Sequence, residues 1–191
     1  MTTRLRAAAV AALATAALLL TSLPTAEAAP AAQPAPTAAK SAARTWMLST
    51  AVYEAEMLQH LNEARSKARK CGSTKVKATK PAKLTKKLVA AARKHTNDMA
   101  KRNYFAHNTK GKKKYGPRQR IKAAGLNPKR VAETLAAGHR SPQETIEALL
   151  KSPAHCKILM SSSYTRVGIA TSISDHSKYG RYIALDFATS K

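Results

Sequence analysis

Residues 152–160, SPAHCKILM, place His155 directly beside Cys156, and the chain has only one other cysteine, Cys71. A thiol next to an imidazole suggests a nucleophile with its base. Adjacent residues, however, rarely aim their side chains at one point. The alternative is a structural bridge between Cys71 and Cys156, next to a histidine with a task of its own. The six histidines divide by context. His60, His139 and His176 lie in polar surroundings and read as surface residues. His95 shares an apolar helical stripe and reads as a buried, satisfied core histidine. Serines crowd positions 161–163, but no Gly-x-Ser-x-Gly elbow and no phosphate-cradling glycine loop occur, which argues against a serine hydrolase or a P-loop enzyme.

The cysteine question turns on the compartment. The chain opens MTTRLR, continues with the apolar run AAAVAALATAALLL, and reaches an A-x-A pattern at Ala26-Glu27-Ala28. Charged start, short apolar stretch and small residues predict an export signal over 1–28. The apolar run is too short to span a bilayer comfortably, and no cysteine precedes Cys71 to carry a lipid. Residues 29–45, almost wholly Ala, Pro, Thr, Ser and Gln, have too little bulky apolar surface to offset the entropy of ordering and predict a disordered linker. Residues 46–191 then form one domain, large enough to bury a core. The expectation is a secreted, extracellular protein with no transmembrane segment after cleavage. In that compartment two cysteines pair. Closing a loop of 85 residues stabilises by about 4–5 kcal/mol on the chain-entropy account. The expected disulfide is Cys71–Cys156, tying the end of the first helix to the SPxH segment.

Charge limits the partners. The full chain carries 34 Lys and Arg against 10 Asp and Glu, a net charge of +24. Between Ala64 and Ala132 there are 23 basic residues and a single acid, Asp98. Such a field draws in polyanions and makes the encounter salt-dependent. Outside a cell these are anionic envelope polymers, acidic lipid surfaces or, nonspecifically, extracellular DNA. Few aromatics interleave with the lysines, so a stacking platform for single strands is not expected.

Periodicity supplies the scaffold. Met57, Leu58, Leu61, Ala64 and Ala68 predict a helix over 53–70 that stops at Gly72. Leu84, Leu88, Ala91, His95 and Met99 predict a second over 84–103. Pro117 and Gly125 bracket a short third helix. Ser141-Pro142-Gln143-Glu144 opens a fourth as a capping box, and Ser152-Pro153 opens one or two further turns with Ser152 capping. RVGIATSIS (166–174) and KYGRYIALDFA (178–188) read as an antiparallel pair. Helices followed by strands give an α+β fold.

LNEAR (61–65), HTNDMAKRNYFAH (95–107), RIKAAGL (120–126), AETLAAG (132–138), SPAHCKILM, YTRVGIA (164–170) and DF (186–187) occur in the order and spacing of the bacterial CAP domains. These are also called SCP domains, and the resemblance covers nearly all of 55–188. It implies a CAP-type α-β-α sandwich with a small antiparallel sheet and an open cleft, in secreted proteins, and implies no particular activity. The chain departs from the family pattern at two places. Ala132-Glu133-Thr134 stands where Gly-Glu-Asn is usual, and Leu149 where a tryptophan is usual. Of the tetrad of two histidines and two acids in animal and plant relatives, His107 and Glu133 match the first histidine and first acid. The other two members fall near Ser152 and Ser163. The resemblance therefore assigns His107, Glu133 and His155 to the cleft. Two imidazoles and a carboxylate suit a divalent metal such as zinc, general acid–base catalysis, or a hydrogen-bonded cluster that ties segments together. The expected function is a non-catalytic module that binds the envelope or another polyanion. The competing expectation is a metal-assisted hydrolase of an extracellular polymer.

Overall fold

The computed structural model describes residues 49–189. The export signal and the linker expected over 1–45 lie outside them. A first helix, α1 (Thr50–Arg65), is followed by a hairpin of β1 (Arg69–Cys71) and β2 (Thr74–Val76), then by β3 (Lys83–Leu84) and the long helix α2 (Lys86–Arg102). After a loop come α3 (Pro117–Ala123), β4 (Val131–Ala137), α4 (Pro142–Lys151) and α5 (Pro153–Leu159). The strands β5 (Arg166–Ile173) and β6 (Arg181–Ala188) close the domain. Among the described residues no helix is long and apolar enough to cross a membrane.

β3, β5, β6 and β4 form one sheet in that order, antiparallel except for the β3–β5 pair. Side chains alternate across a strand, and β6 shows how this builds a sandwich. Ile183, Leu185 and Phe187 pack in one core with Tyr53, Met57 and Leu61 of α1 and Ile146 and Leu149 of α4. Tyr182 and Ala184 pack on the other face with Ala92 and Met99 of α2. Ala188 joins Leu88 and Ala91 of α2 and Ile121 of α3. The result is an α-β-α sandwich with α1 and α4 on one face and α2 and α3 on the other. All eight residues of β6 are buried.

Several boundaries differ from the periodic reading. α1 ends at Arg65, where the backbone N–H of Ser66 closes the last turn on Asn62, so Ala68 is exposed and outside the helix. Gly72 does not stop that helix. It lies between β1 and β2 with φ of +63°, and a Cβ there would come within 3.1 Å of Pro153. Leu84 drops out of the α2 stripe because it belongs to edge strand β3, and it is 53% exposed. Ser152 precedes α5 but its hydroxyl makes no capping bond, whereas Ser141 accepts from Glu144 N at 3.1 Å as expected. AETLAAG, not anticipated as a strand, is most of β4. It pairs with β6 along its whole length.

The disulfide joins Cys71 to Cys156 with Cα atoms 5.4 Å apart. It ties the hairpin, rather than the end of α1, to α5. Arg65 holds the same helix from the other side. Its buried guanidinium donates to Leu159 O, to Tyr164 O at 2.9 Å and to Ser161 O at 3.3 Å, carbonyls at and beyond the end of α5. The helix carrying His155 is therefore fixed by a covalent bond in its middle and by a buried cation at its end.

Candidate functional site

Glu133 lies on β4 directly opposite Asp186 on β6, and Gly168 on β5 continues the row. All three face α2 and α3. Gly168 is what lets α2 approach: a Cβ at this position would lie 2.1 Å from the backbone carbon of Leu88. The helix thus descends onto the sheet and carries His95 into the layer above the carboxylates. His95 is fully buried. Its Nε2 faces the carbonyl of Ala106 at 2.8 Å, and because that oxygen can only accept, Nε2 carries the proton. Burial, then the nearby charge of Arg120, holds the ring's pKa below the ordinary histidine value. A neutral His95 thereby pins the loop that delivers His107.

His107 Nδ1 donates to Glu133 Oε1 at 2.7 Å, while the ring itself is half exposed. The other oxygen of Glu133 accepts from Arg120, which is also buried. Arg120 further donates to His107 O at 2.7 Å and Tyr115 O at 2.9 Å, so one guanidinium fastens both ends of the 107–115 loop. Burial pushes the Glu133 carboxyl up, but the His107 hydrogen bond and the Arg120 charge outweigh it and hold the pKa below the ordinary glutamate range. Asp186 behaves oppositely. Its carboxyl has no hydrogen-bond donor among the described residues, and burial together with the adjacent Glu133 charge pushes its pKa well above normal. The two acids thus diverge: the Glu133 carboxyl is held towards ionisation and the Asp186 carboxyl beneath it towards protonation.

His155 comes from the opposite side of the sheet's β4 edge, on α5, which packs against β1 and β4. It is partly buried, and burial followed by the charge of His107 lowers its pKa. Glu133 does not join the two imidazoles as a third ligand, because both its oxygens are engaged by His107 and Arg120. Among the described residues no three His, Cys, Asp or Glu side chains form a group that could hold a metal ion. The donor set does not fit a three-ligand zinc centre. It fits a carboxylate-oriented imidazole on a half-exposed ring.

The sequence profile of the family described as CAP, the cysteine-rich secretory protein family, matches residues 58–187. The chain belongs to the CAP family. YkwD, an uncharacterized protein of Bacillus subtilis, is 28% identical over 122 residues, covering 63% of this chain and 43% of its own length. YlbC, an uncharacterized membrane protein of the same organism, is 32% identical over 76 residues, 39% of this chain and 21% of its own. The chain thus spans less than half the length of the curated relatives it matches. Among solved structures, a cysteine-rich secretory protein from Staphylococcus aureus has a TM-score of 0.55 at 17% identity, over 74% of this chain and 39% of its own. An outer surface protein from Borrelia burgdorferi has a TM-score of 0.51 at 19% identity, over 58% and 78%. An extracellular SCP-domain protein from Bacillus anthracis has a TM-score of 0.50 at 20% identity, over 59% and 35%. These likenesses establish the CAP fold.

Within the CAP fold, the sequence departures take on physical meaning. Thr134 follows Glu133 on β4 and alternation turns it to the other face, where it is fully buried with its hydroxyl unpartnered. The usual amide is therefore missing from the interior beneath α1 and α4, not from beside Glu133. Leu149 is likewise a core residue of that layer. Arg120, Asp186 and Arg65 were each inside a matched motif but had been assigned no role. Asp186 had a visible signal: it is the one acid in a strand that carries no other charge after Arg181, where an unpaired charge would not be buried.

Proposed function

We propose that this CAP domain is a secreted, non-catalytic module that binds an anionic polymer of the cell envelope through its α2/α3 layer. The observation that carries the reading is the segregation of charge by layer. Glu56 and Glu63 lie on α1 and Glu144 and Glu147, with Lys151, on α4, on the other face of the sheet. α2 has Lys86, Lys87, Lys94, Lys101 and Arg102 against Asp98, its Arg93 being paired with Glu54 of α1, and the loop before α3 adds Lys110, Lys112, Lys113 and Lys114, all exposed. A cationic face backed by one of mixed charge orients a polyanion as well as attracting it. Bacterial relatives described as extracellular or outer-surface proteins support the location. The test is binding of poly(glycerol phosphate) across a salt series, with counterion release predicting a steep fall. Charge reversal at Lys112, Lys113 and Lys114 lowers affinity. Binding that is flat from low to physiological salt would refute the reading.

The His107–Glu133 pair supports a second reading, a hydrolase of an extracellular polymer. An imidazole held at Nδ1 by an ionised carboxylate presents Nε2 as a base, and His155 on α5 has a depressed pKa. Turnover of purified envelope polymer by the wild type, lost in His107→Ala with its fold intact, would establish this activity. Absence of turnover with and without added zinc would remove it.

A further inference from the structure

The groove between α2 and α3 is a cavity of about 670 Å³, within the range of roughly 300–1,000 Å³ usual for small-ligand sites. We propose that it binds a phosphate ester carried on a small neutral body, the unit by which this layer recognises an anionic polymer. The inference rests on the polyanion reading above and names the group recognised.

Four alanines shape the interior. Ala90 and Ala91 of α2 face Ala123 and Ala124 at the end of α3, so the two helices meet with short side chains and leave room between them. The rim is made of Lys94 from α2 and Lys110 and Lys113 from the loop. None of these three ammonium groups pairs with an acid among the described residues. The only acid in the lining, Asp98, is already engaged by Arg102 at 3.1 Å and by the Tyr104 hydroxyl. Arg120 also reaches the lining, but its charge is met by Glu133. Three uncompensated cations thus surround an uncharged floor. A flat basic surface would suffice for unselective attraction; a concave, neutral interior adds space for something uncharged. Tyr115 and Gln119 line it too. The ring, 46% exposed, offers a face for C–H groups, and the amide offers both a donor and an acceptor.

The rim is held in place before any ligand arrives. Thr109 Oγ1 accepts from Tyr115 N at 2.9 Å, Thr109 N donates to Tyr115 O at 3.1 Å, and Arg120 grips that same carbonyl. The loop is closed on itself, which fixes where Lys110 and Lys113 stand and reduces the ordering lost on binding. The chemistry of the cations selects the anion. A guanidinium fork would serve carboxylate and phosphate alike, and here Arg120 is met by Glu133 while Arg102 donates to Asp98. Separate ammonium point charges suit a tetrahedral anion with oxygens on several sides.

The experiment is titration calorimetry on the disulfide-intact chain at about 150 mM salt, where long-range surface attraction is screened beyond roughly 8 Å. The probes are short poly(glycerol phosphate), polyglutamate of equal charge, glycerol 3-phosphate and inorganic phosphate. Lys94→Ala/Lys113→Ala removes two rim charges. Lys112→Ala/Lys114→Ala removes two from the same stretch that do not line the groove, giving the same net charge. We expect the first pair to weaken poly(glycerol phosphate) binding about tenfold or more and the second about twofold. Glycerol 3-phosphate should compete better than inorganic phosphate. Equal losses in both variants, with polyglutamate bound as well as the phosphate polymer, overturn the groove and leave the general polyanion reading standing. No binding of either polymer by the wild type overturns both. Competition by inorganic phosphate as strong as by glycerol 3-phosphate overturns the neutral half of the site.

Discussion

Replacing Arg120 with methionine tests whether one buried guanidinium organises the site. Methionine fills similar space but removes the charge that meets Glu133 and the donors that hold His107 O and Tyr115 O. Both partners are out of water, at 4% and 1% side-chain exposure, so solvent screening does not dilute the interaction. Breaking such a pair by deleting one partner costs about 3–5 kcal/mol, since the remaining charge stays buried. The freed carbonyls add less, because their exposed loop can take up water. Much of the loss lies in the ionisation of Glu133, and its pH dependence follows. In the wild type the depressed Glu133 pKa contributes stability that is present above the unfolded value of about 4.3 and disappears as pH falls through the folded value. The variant lacks that contribution, so the gap between the proteins is wide at pH 7 and narrows towards pH 4. Urea unfolding at a series of pH values measures it. Glu133→Gln added to the variant removes the stranded charge and should recover at least about 2 kcal/mol relative to additivity. Hydrogen exchange should quicken across 107–116. A loss under about 1 kcal/mol at pH 7, a gap independent of pH, or strict additivity in the double variant would refute the reasoning.

Gly168→Ala should cost about 1–3 kcal/mol or more, because the new methyl overlaps the α2 backbone at Leu88; thermal unfolding near the wild-type midpoint would show that α2 has slack. Cys71→Ser/Cys156→Ser should lose about 4–5 kcal/mol before native-state strain is considered, and thiol labelling of the unreduced wild type should detect none; two labelled cysteines would contradict the bridge. Asp186 gives the opposite pH sign to Glu133. Its raised pKa means the folded state binds the extra proton, so its contribution falls as pH rises from about 3.9 towards the folded value. Asp186→Asn, an isostere of the protonated acid, should be at least as stable as wild type at pH 7 and flatten that part of the profile; a loss above about 1 kcal/mol would mean the carboxylate is ionised and needed.

The sequence alone determined what depends on local pattern and composition. The α2 stripe from Leu88 to Met99, the Ser141 cap and the α+β class follow from short-range rules, since helix spacing and capping need only neighbours. The pairing of Cys71 with Cys156 was also legible, because two cysteines expected outside a cell leave one combination. The motifs singled out His107 and Glu133, which the structure joins by a hydrogen bond, but not the way they divide the work. The tertiary structure decided that Glu133 is held behind His107 by Arg120, leaving no free oxygen for a third ligand. It also turned Asp186 under Glu133, which local sequence cannot state, because register sets which residues of β4 and β6 meet. β4 itself escaped notice for the same reason: small residues around one acid make a strand only when a buried neighbour supplies the hydrogen bonds. The groove of alanines and lysines joins α2, α3 and the 109–115 loop. Its charge was countable in the sequence, but its concavity exists only where Gly168 lets α2 settle against the sheet and Arg120 draws the loop across its mouth.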